Sequence, residues 1–124
     1  MNEKIKSFTD LITWQEGHKL VLMVYKYIEN FPQKENFGII SQMQCCAVSI
    51  TSNIAEGFSR RSNKEKIQFY HISLGSLTEL HNQLIISKEL NYLNPEAFNE
   101  SVEQLIKVQK LLNGLIKSAK ILNT

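Results

Sequence analysis

Residues Gln42 to Arg61 read QMQCCAVSITSNIAEGFSRR, and this stretch decides the fold. Its apolar line, Ile40, Met43, Ala47, Ile50, Ile54 and Gly57, alternates spacings of three and four. That alternation is the seam of a long amphipathic helix. On the same helix Ser49, Asn53 and Glu56 are spaced four and three apart, so they project from one face. Polar residues beside an apolar stripe need a partner or a task.

Working outward, the preceding segment carries Leu11, Trp14, His18, Val21, Tyr25 and Ile28 at helical spacing, with Leu22 widening the stripe. Two capping boxes compete for its start, Thr13 with Glu16 and Ser7 with Asp10. Phe31-Pro32 ends it near Asn30, because a residue before proline avoids the helical region. Beyond the central stretch, Gly57 and the polar run Ser59 to Asn63 break the chain. Ser62 then caps a third helix, with Glu65 at the matching position. That helix shows Ile67, Tyr70, Leu74, Leu77, His81, Leu84 and Lys88, flanked by Leu80 and Ile85. Asn94-Pro95 starts a fourth, asparagine as cap and proline at the first helical position. Its stripe is Phe98, Val102, Leu105, Leu112, Leu115, Ala119 and Leu122.

No segment alternates as a strand does. Four long helices joined by short links must run antiparallel, which predicts an all-α, up-down-up-down four-helix bundle spanning residues 1–124 as one domain. A chain of 124 residues, 43% hydrophobic and 21% charged, is long enough to bury a single core.

The composition also excludes. The longest purely apolar run, Leu20 to Tyr25, is far short of the roughly 20 residues of a membrane span. The N-terminal MNEKIKSFTD lacks the apolar core of a secretory signal, so a cytoplasmic, non-membrane protein is expected. Cys45 and Cys46 are sequence neighbours whose side chains diverge by about 100° on a helix, so they make a poor disulfide. Both are read as small apolar fillers in a reduced protein. The net charge of +2 neither demands nor excludes nucleic acid.

Catalytic signatures are missing. His18, His71 and His81 have no second ligand at metal spacing on their own helix faces, and no Glu-x-x-His of a di-iron bundle occurs. There is no His-Glu-x-x-His, Gly-rich phosphate loop or nucleophile elbow. An enzyme is not expected, nor is a cofactor or metal.

Four motifs carry a resemblance: Phe8-Thr9-Asp10-Leu11-Ile12-Thr13-Trp14 (FxDLxxW), Phe31-Pro32, the SIxxNIAEG of Ser49 to Gly57, and the GSLxEL of Gly75 to Leu80. Together they resemble the four-helix proteins encoded in intervening sequences of bacterial 23S ribosomal RNA genes, also called the S23 ribosomal protein family. The accessory variability protein of diversity-generating retroelements is a relative. The resemblance covers Ser7 to Leu122. It implies a homopentamer of antiparallel bundles, without enzymatic activity. In the retroelement relatives, basic surface binds nucleic acid and a reverse transcriptase. This sequence departs from the family at Gln44 and Cys45, where arginine is usual, and at Thr51, where proline is common. If those arginines make a contact, it is lost here, and Thr51 should leave the second helix straighter.

Three residue sets are then candidates. Ser49, Asn53 and Glu56, with Glu79 across from them, form either a ligand face or a structural polar layer that fixes helix register; the layer is the stronger reading. Gly75 and Ser76 fit it, as small residues that let helices approach. Arg60, Arg61, Lys64 and Lys66 cluster at the elbow between the second and third helices, as a phosphate site or a solvated turn. Lys107, Lys110, Lys117 and Lys120 form a stripe able to track a nucleic-acid backbone. Yet Glu96, Glu100 and Glu103 open that helix, and acids first with bases last is what a helix dipole favours unaided. The expected function is an oligomeric module binding RNA or DNA. The alternative is a scaffold that docks another protein. Apolar side chains flanking the seams, such as Tyr25 and Phe69, are expected to be hidden between subunits.

Overall fold

The computed structural model describes residues 5–122, the side chain of Leu122 excepted. Four helices follow in chain order: α1 (Ile12–Ile28), α2 (Ile39–Ser59), α3 (Asn63–Glu89) and α4 (Pro95–Leu122). Each packs on its chain neighbours, and α1 closes the ring on α4. This is the antiparallel four-helix bundle expected from the sequence, and no strand occurs among the described residues.

The earlier capping box closes the turn before α1, and α1 itself starts behind Leu11 with no side-chain cap. Ser7 Oγ accepts from the Thr9 amide, and Asp10 Oδ2 accepts from the Ser7 amide, which closes a 3₁₀ turn over Phe8–Asp10. Thr13 and Glu16 are both buried and cap nothing. At the elbow, Ser62 Oγ accepts from the Glu65 amide at 3.1 Å and caps α3. Asn94 Oδ1 does the same for the Ala97 amide at the head of α4. Between them α3 ends at Glu89, and two residues on, Asn91 turns the chain away with a φ of 63°, a left-handed conformation that asparagine tolerates better than most residues.

The seam of α2 is as expected, with Ile40, Met43, Ala47, Ile50, Ile54 and Gly57 all buried. The cysteines divide: Cys46 joins the core and Cys45 is exposed. The turn of about 100° between neighbours on a helix carries Cys45 out of the seam that Cys46 joins.

The face of α1 differs from expectation. Its buried residues are Thr13, Glu16, Gly17, Leu20, Val21, Val24 and Ile28, while His18, Leu22 and Tyr25 are exposed. The true stripe is turned roughly a quarter of the way round the helix. Gly17 is the reason for close approach, since a Cβ there would sit 3.2 Å from Thr51 Cγ2 on α2.

The seam of α3 is more polar than its leucines suggest. Ser73, Ser76, Gln83 and Ser87 are buried, whereas Ile85 is exposed. Ser73 Oγ donates to the Ile50 carbonyl at 2.8 Å, and Ser87 Oγ to its own helix at Gln83 O. Small hydroxyl side chains let α2 and α3 lie close while keeping each hydroxyl partnered. On α4, Leu105, Val108, Leu112, Ile116 and Ala119 are buried, and Ser101 with them. No described helix is long and apolar enough to cross a membrane.

Candidate nucleic-acid interface

The elbow is built by the end of α2 and the start of α3. Lys66, on the first turns of α3, reaches back and donates to the carbonyls of Phe58 (2.7 Å) and Gly57 (3.3 Å). The Gly57 carbonyl also takes the Arg60 amide at 3.2 Å, so Lys66 completes the cap of α2, chiefly at Phe58. Its partial burial lowers its pKa. Arg60 is also engaged, ion-paired with Glu56 one turn back at 3.0 Å and lying over the Phe69 ring at 4.7 Å. Arg61 and Lys64 remain exposed, with no ion pair among the described residues.

Antiparallel register brings the two basic sets together. The Lys66 bonds place the start of α3 beside the end of α2. At the far end Lys88 Nζ lies 4.2 Å from the Phe98 ring, which places the end of α3 beside the start of α4. Since α3 and α4 have 27 and 28 residues, the last turns of α4 return to the elbow. Exposed Lys117 and Lys120 therefore share one end of the bundle with Arg61 and Lys64. Glu89, Glu96, Glu100 and Glu103 lie towards the opposite end. Helix dipoles account for Lys117 and Lys120, but they disfavour Lys64 in the first turn of α3.

The rest of the lysine stripe is used differently. Lys107 Nζ is ion-paired with Glu16 Oε1 at 3.1 Å across the α1–α4 contact. Glu16 is 4% exposed and also receives Lys19 (2.9 Å) and the Gln104 amide (3.0 Å). The hydrogen bonds of Lys19 and Gln104, with the nearby Lys107, hold its pKa down to about 2. Sequence reasoning missed this cluster. The available signal was a carboxylate in line with Thr13, Leu20 and Val24. Lys110 lines an open cleft with Glu100, Glu103 and Lys107 on the same flank.

The polar line on α2 divides into two. Ser49 Oγ and Ser76 Oγ are 2.9 Å apart across the α2–α3 contact, and Asn53 Nδ2 donates to Ser49 Oγ (3.0 Å) and Ser49 O (2.8 Å). Glu56 leaves the layer for Arg60. Glu79 is exposed and lines a shallow groove with Ser49, Ser76, Cys45 and Cys46. Burial, with the Glu79 carboxylate adding, pushes the Cys46 thiol up to about 12, and its Sγ donates to the Ser76 carbonyl. Gly75 is not a close-approach residue in this chain, because nothing lies within 4 Å of a Cβ built there. Gln44 is half-buried beside Tyr25, Cys45 and Val48.

No group of three or more histidine, cysteine or acidic side chains among the described residues is placed to hold a metal. His71 is exposed, His81 half-buried, and His18 stacks on Trp14 with ring centroids 4.8 Å apart and planes at 11°.

A closed four-helix ring with a hydroxyl-lined α2–α3 seam and a basic elbow defines an antiparallel helical-bundle protein. The chain belongs to the 23S rRNA-intervening sequence protein family, whose model matches residues 9–114. A crystal structure at 1.70 Å of a protein of unknown function from the S23 ribosomal protein family of Bacteroides thetaiotaomicron is similar in fold. Its TM-score is 0.77 at 21% identity, over 86% of this chain and 99% of that one. No curated protein matches.

Proposed function

We propose that this protein is a non-enzymatic, oligomeric bundle that binds the phosphate backbone of RNA or DNA with its basic end. The observation that carries this reading is that Arg61 and Lys64 lie at the same end of the bundle as Lys117 and Lys120. These four cations come from two sequence regions, are exposed, and have no ion pair among the described residues. Arg60, Lys66 and Lys107 support that surface from behind or belong to the fold, and they are not counted as contacts. The family's link to ribosomal RNA genes agrees with this assignment.

The test is fluorescence anisotropy of a labelled RNA titrated with protein at rising salt. Backbone binding through four cations gives a log–log slope of about −3 to −4, since each neutralised phosphate contributes about 0.7 on single strands and 0.9 on duplexes. No anisotropy change at low salt overturns the reading.

A second reading, a protein-docking scaffold, is favoured by one observation. Leu22, Tyr25 and Val48 are 57%, 39% and 41% exposed along the α1–α2 flank. On this reading another protein covers these residues, and the anisotropy titration separates the two, since a scaffold without nucleic acid gives no change at low salt.

A further inference from the structure

Beside the basic end, three aromatic rings form a ladder on the outer edge of the α1–α2 pair. Phe8 meets Trp14 edge-on, with centroids 5.3 Å apart and planes at 68°. Trp14 in turn stacks nearly parallel on His18. Trp14 is half-buried and rests on the core, whereas His18 is exposed. One face of the imidazole is taken by the indole, so its exposure lies on the other side. A groove of about 390 Å³, lined by Phe8, Ser52, Ala55, Glu56 and Ser59, runs from this ladder to the elbow. Ser59 adjoins Arg60, and the Glu56 carboxylate in the groove is already neutralised by it.

On the proposed reading that the basic end holds phosphates, we infer that the ligand is a single-stranded nucleic acid, with an unpaired base stacked on His18. In a duplex the bases are stacked on one another and their faces are closed to side chains, while a single strand can splay a base onto an aromatic platform. The register supports the spacing. Gly17 packs beside Thr51 and Ile54, so its neighbour His18 stands roughly level with Thr51. About eight helical residues then separate His18 from the end of α2 at Ser59, about 12 Å along the axis. That separation is close to the span of about two extended nucleotides. Stacking is tolerant of base identity, so the preference is for strandedness and not for sequence. His18 is therefore a binding residue, and Trp14 and Phe8 are positioning residues that hold its ring flat.

The experiment uses the full chain and fluorescently labelled oligouridylate, oligothymidylate and a duplex, each of about 12 nucleotides. The expected result is tighter binding to the single strands than to the duplex. His18→Ala weakens single-strand binding roughly 5- to 100-fold. His18→Phe restores it, and neither variant changes duplex binding. His18 is exposed, so both variants fold, and an unchanged helical circular dichroism spectrum confirms it. Equal affinity for duplex and single strand, with indifference to His18→Ala, overturns the stacking and leaves the basic end standing. Absence of binding to any of the three at low salt overturns both.

Discussion

Glu16 on α1 and Gln104 on α4, 88 residues apart in sequence, are joined twice: the Gln104 amide donates to Glu16 Oε1 at 3.0 Å and to the Glu16 carbonyl at 2.8 Å. With Lys19 and Lys107 on the same carboxylate, this is the polar tie that closes the helix ring. Truncation to alanine leaves Gln104 its bond to the main-chain carbonyl but removes its bond to the carboxylate and the partner of both lysines. Glu16→Ala is expected to cost about 1–3 kcal/mol. Lys19→Met and Lys107→Met should each cost less than about 1 kcal/mol, because both cations are more than half exposed. Urea unfolding midpoints rank the three. A Glu16→Ala protein as stable as the parent would mean that the tie is ornamental.

The same group sets an acid limit. A carboxyl with a folded pKa near 2 against an ordinary 4.5 favours the folded state at every pH above the unfolded value. That contribution is lost as pH falls through the window from about 4.5 to 2. Glu16→Gln has no proton to gain there. The stability difference between parent and Glu16→Gln should therefore shrink across this window, and a gap that stays constant would contradict the assignment.

Two glycines should respond in opposite directions to alanine. A Cβ at Gly57 would meet Tyr70 Cε1 at 2.6 Å and Cδ1 at 2.9 Å. Gly57→Ala should then destabilise by about 1–3 kcal/mol despite the better helix propensity of alanine. Gly114, also within a helix, has nothing within 4 Å, and Gly114→Ala should stabilise by up to about 1 kcal/mol. Thermal melts of the two variants read the sign directly.

The cysteines give a probe of the α2 surface. Cys45 is exposed, while Cys46 is buried with its thiol pushed up to about 12. A thiol reagent should label one cysteine in the native chain and both after unfolding, since the thiolate is the reactive species. If assembly covers the α1–α2 flank, dilution below the association threshold should speed labelling of Cys45. Rapid native labelling of Cys46 would contradict the packing of α2 on α3.

Much of the bundle was legible in the residues, and the exceptions share a cause. The α2 seam is readable because its inward positions are apolar, apart from the close-packed glycine. The breaks at Phe31-Pro32, Ser62 and Asn94-Pro95 act locally, through backbone restriction and side-chain caps. On α1 the rings of Trp14, His18 and Tyr25 look like a seam, yet the core takes Thr13, Glu16 and Gly17 instead. Glu16 is admissible inside only because Gln104 and Lys107 meet it from far along the chain, which no window around residue 16 reveals. On α3 the burial of Ser73 and Ser76 was invisible for the same reason, since their partners, the Ile50 carbonyl and the Ser49 hydroxyl, belong to α2. The candidate cations were all named from sequence. Which of them are committed to the fold, as Lys66 is to the carbonyls of α2, is a tertiary fact.

The most direct measurement is the salt dependence of RNA affinity for three proteins: the parent, Arg61→Gln/Lys64→Gln, and Lys34→Gln as a control at the opposite end of the bundle. If the basic end holds the backbone, the elbow pair should flatten the log–log slope by about 1.4–1.8, two phosphate contacts' worth, while Lys34→Gln leaves it unchanged. Equal slopes for all three proteins would contradict the placement of nucleic acid at the elbow.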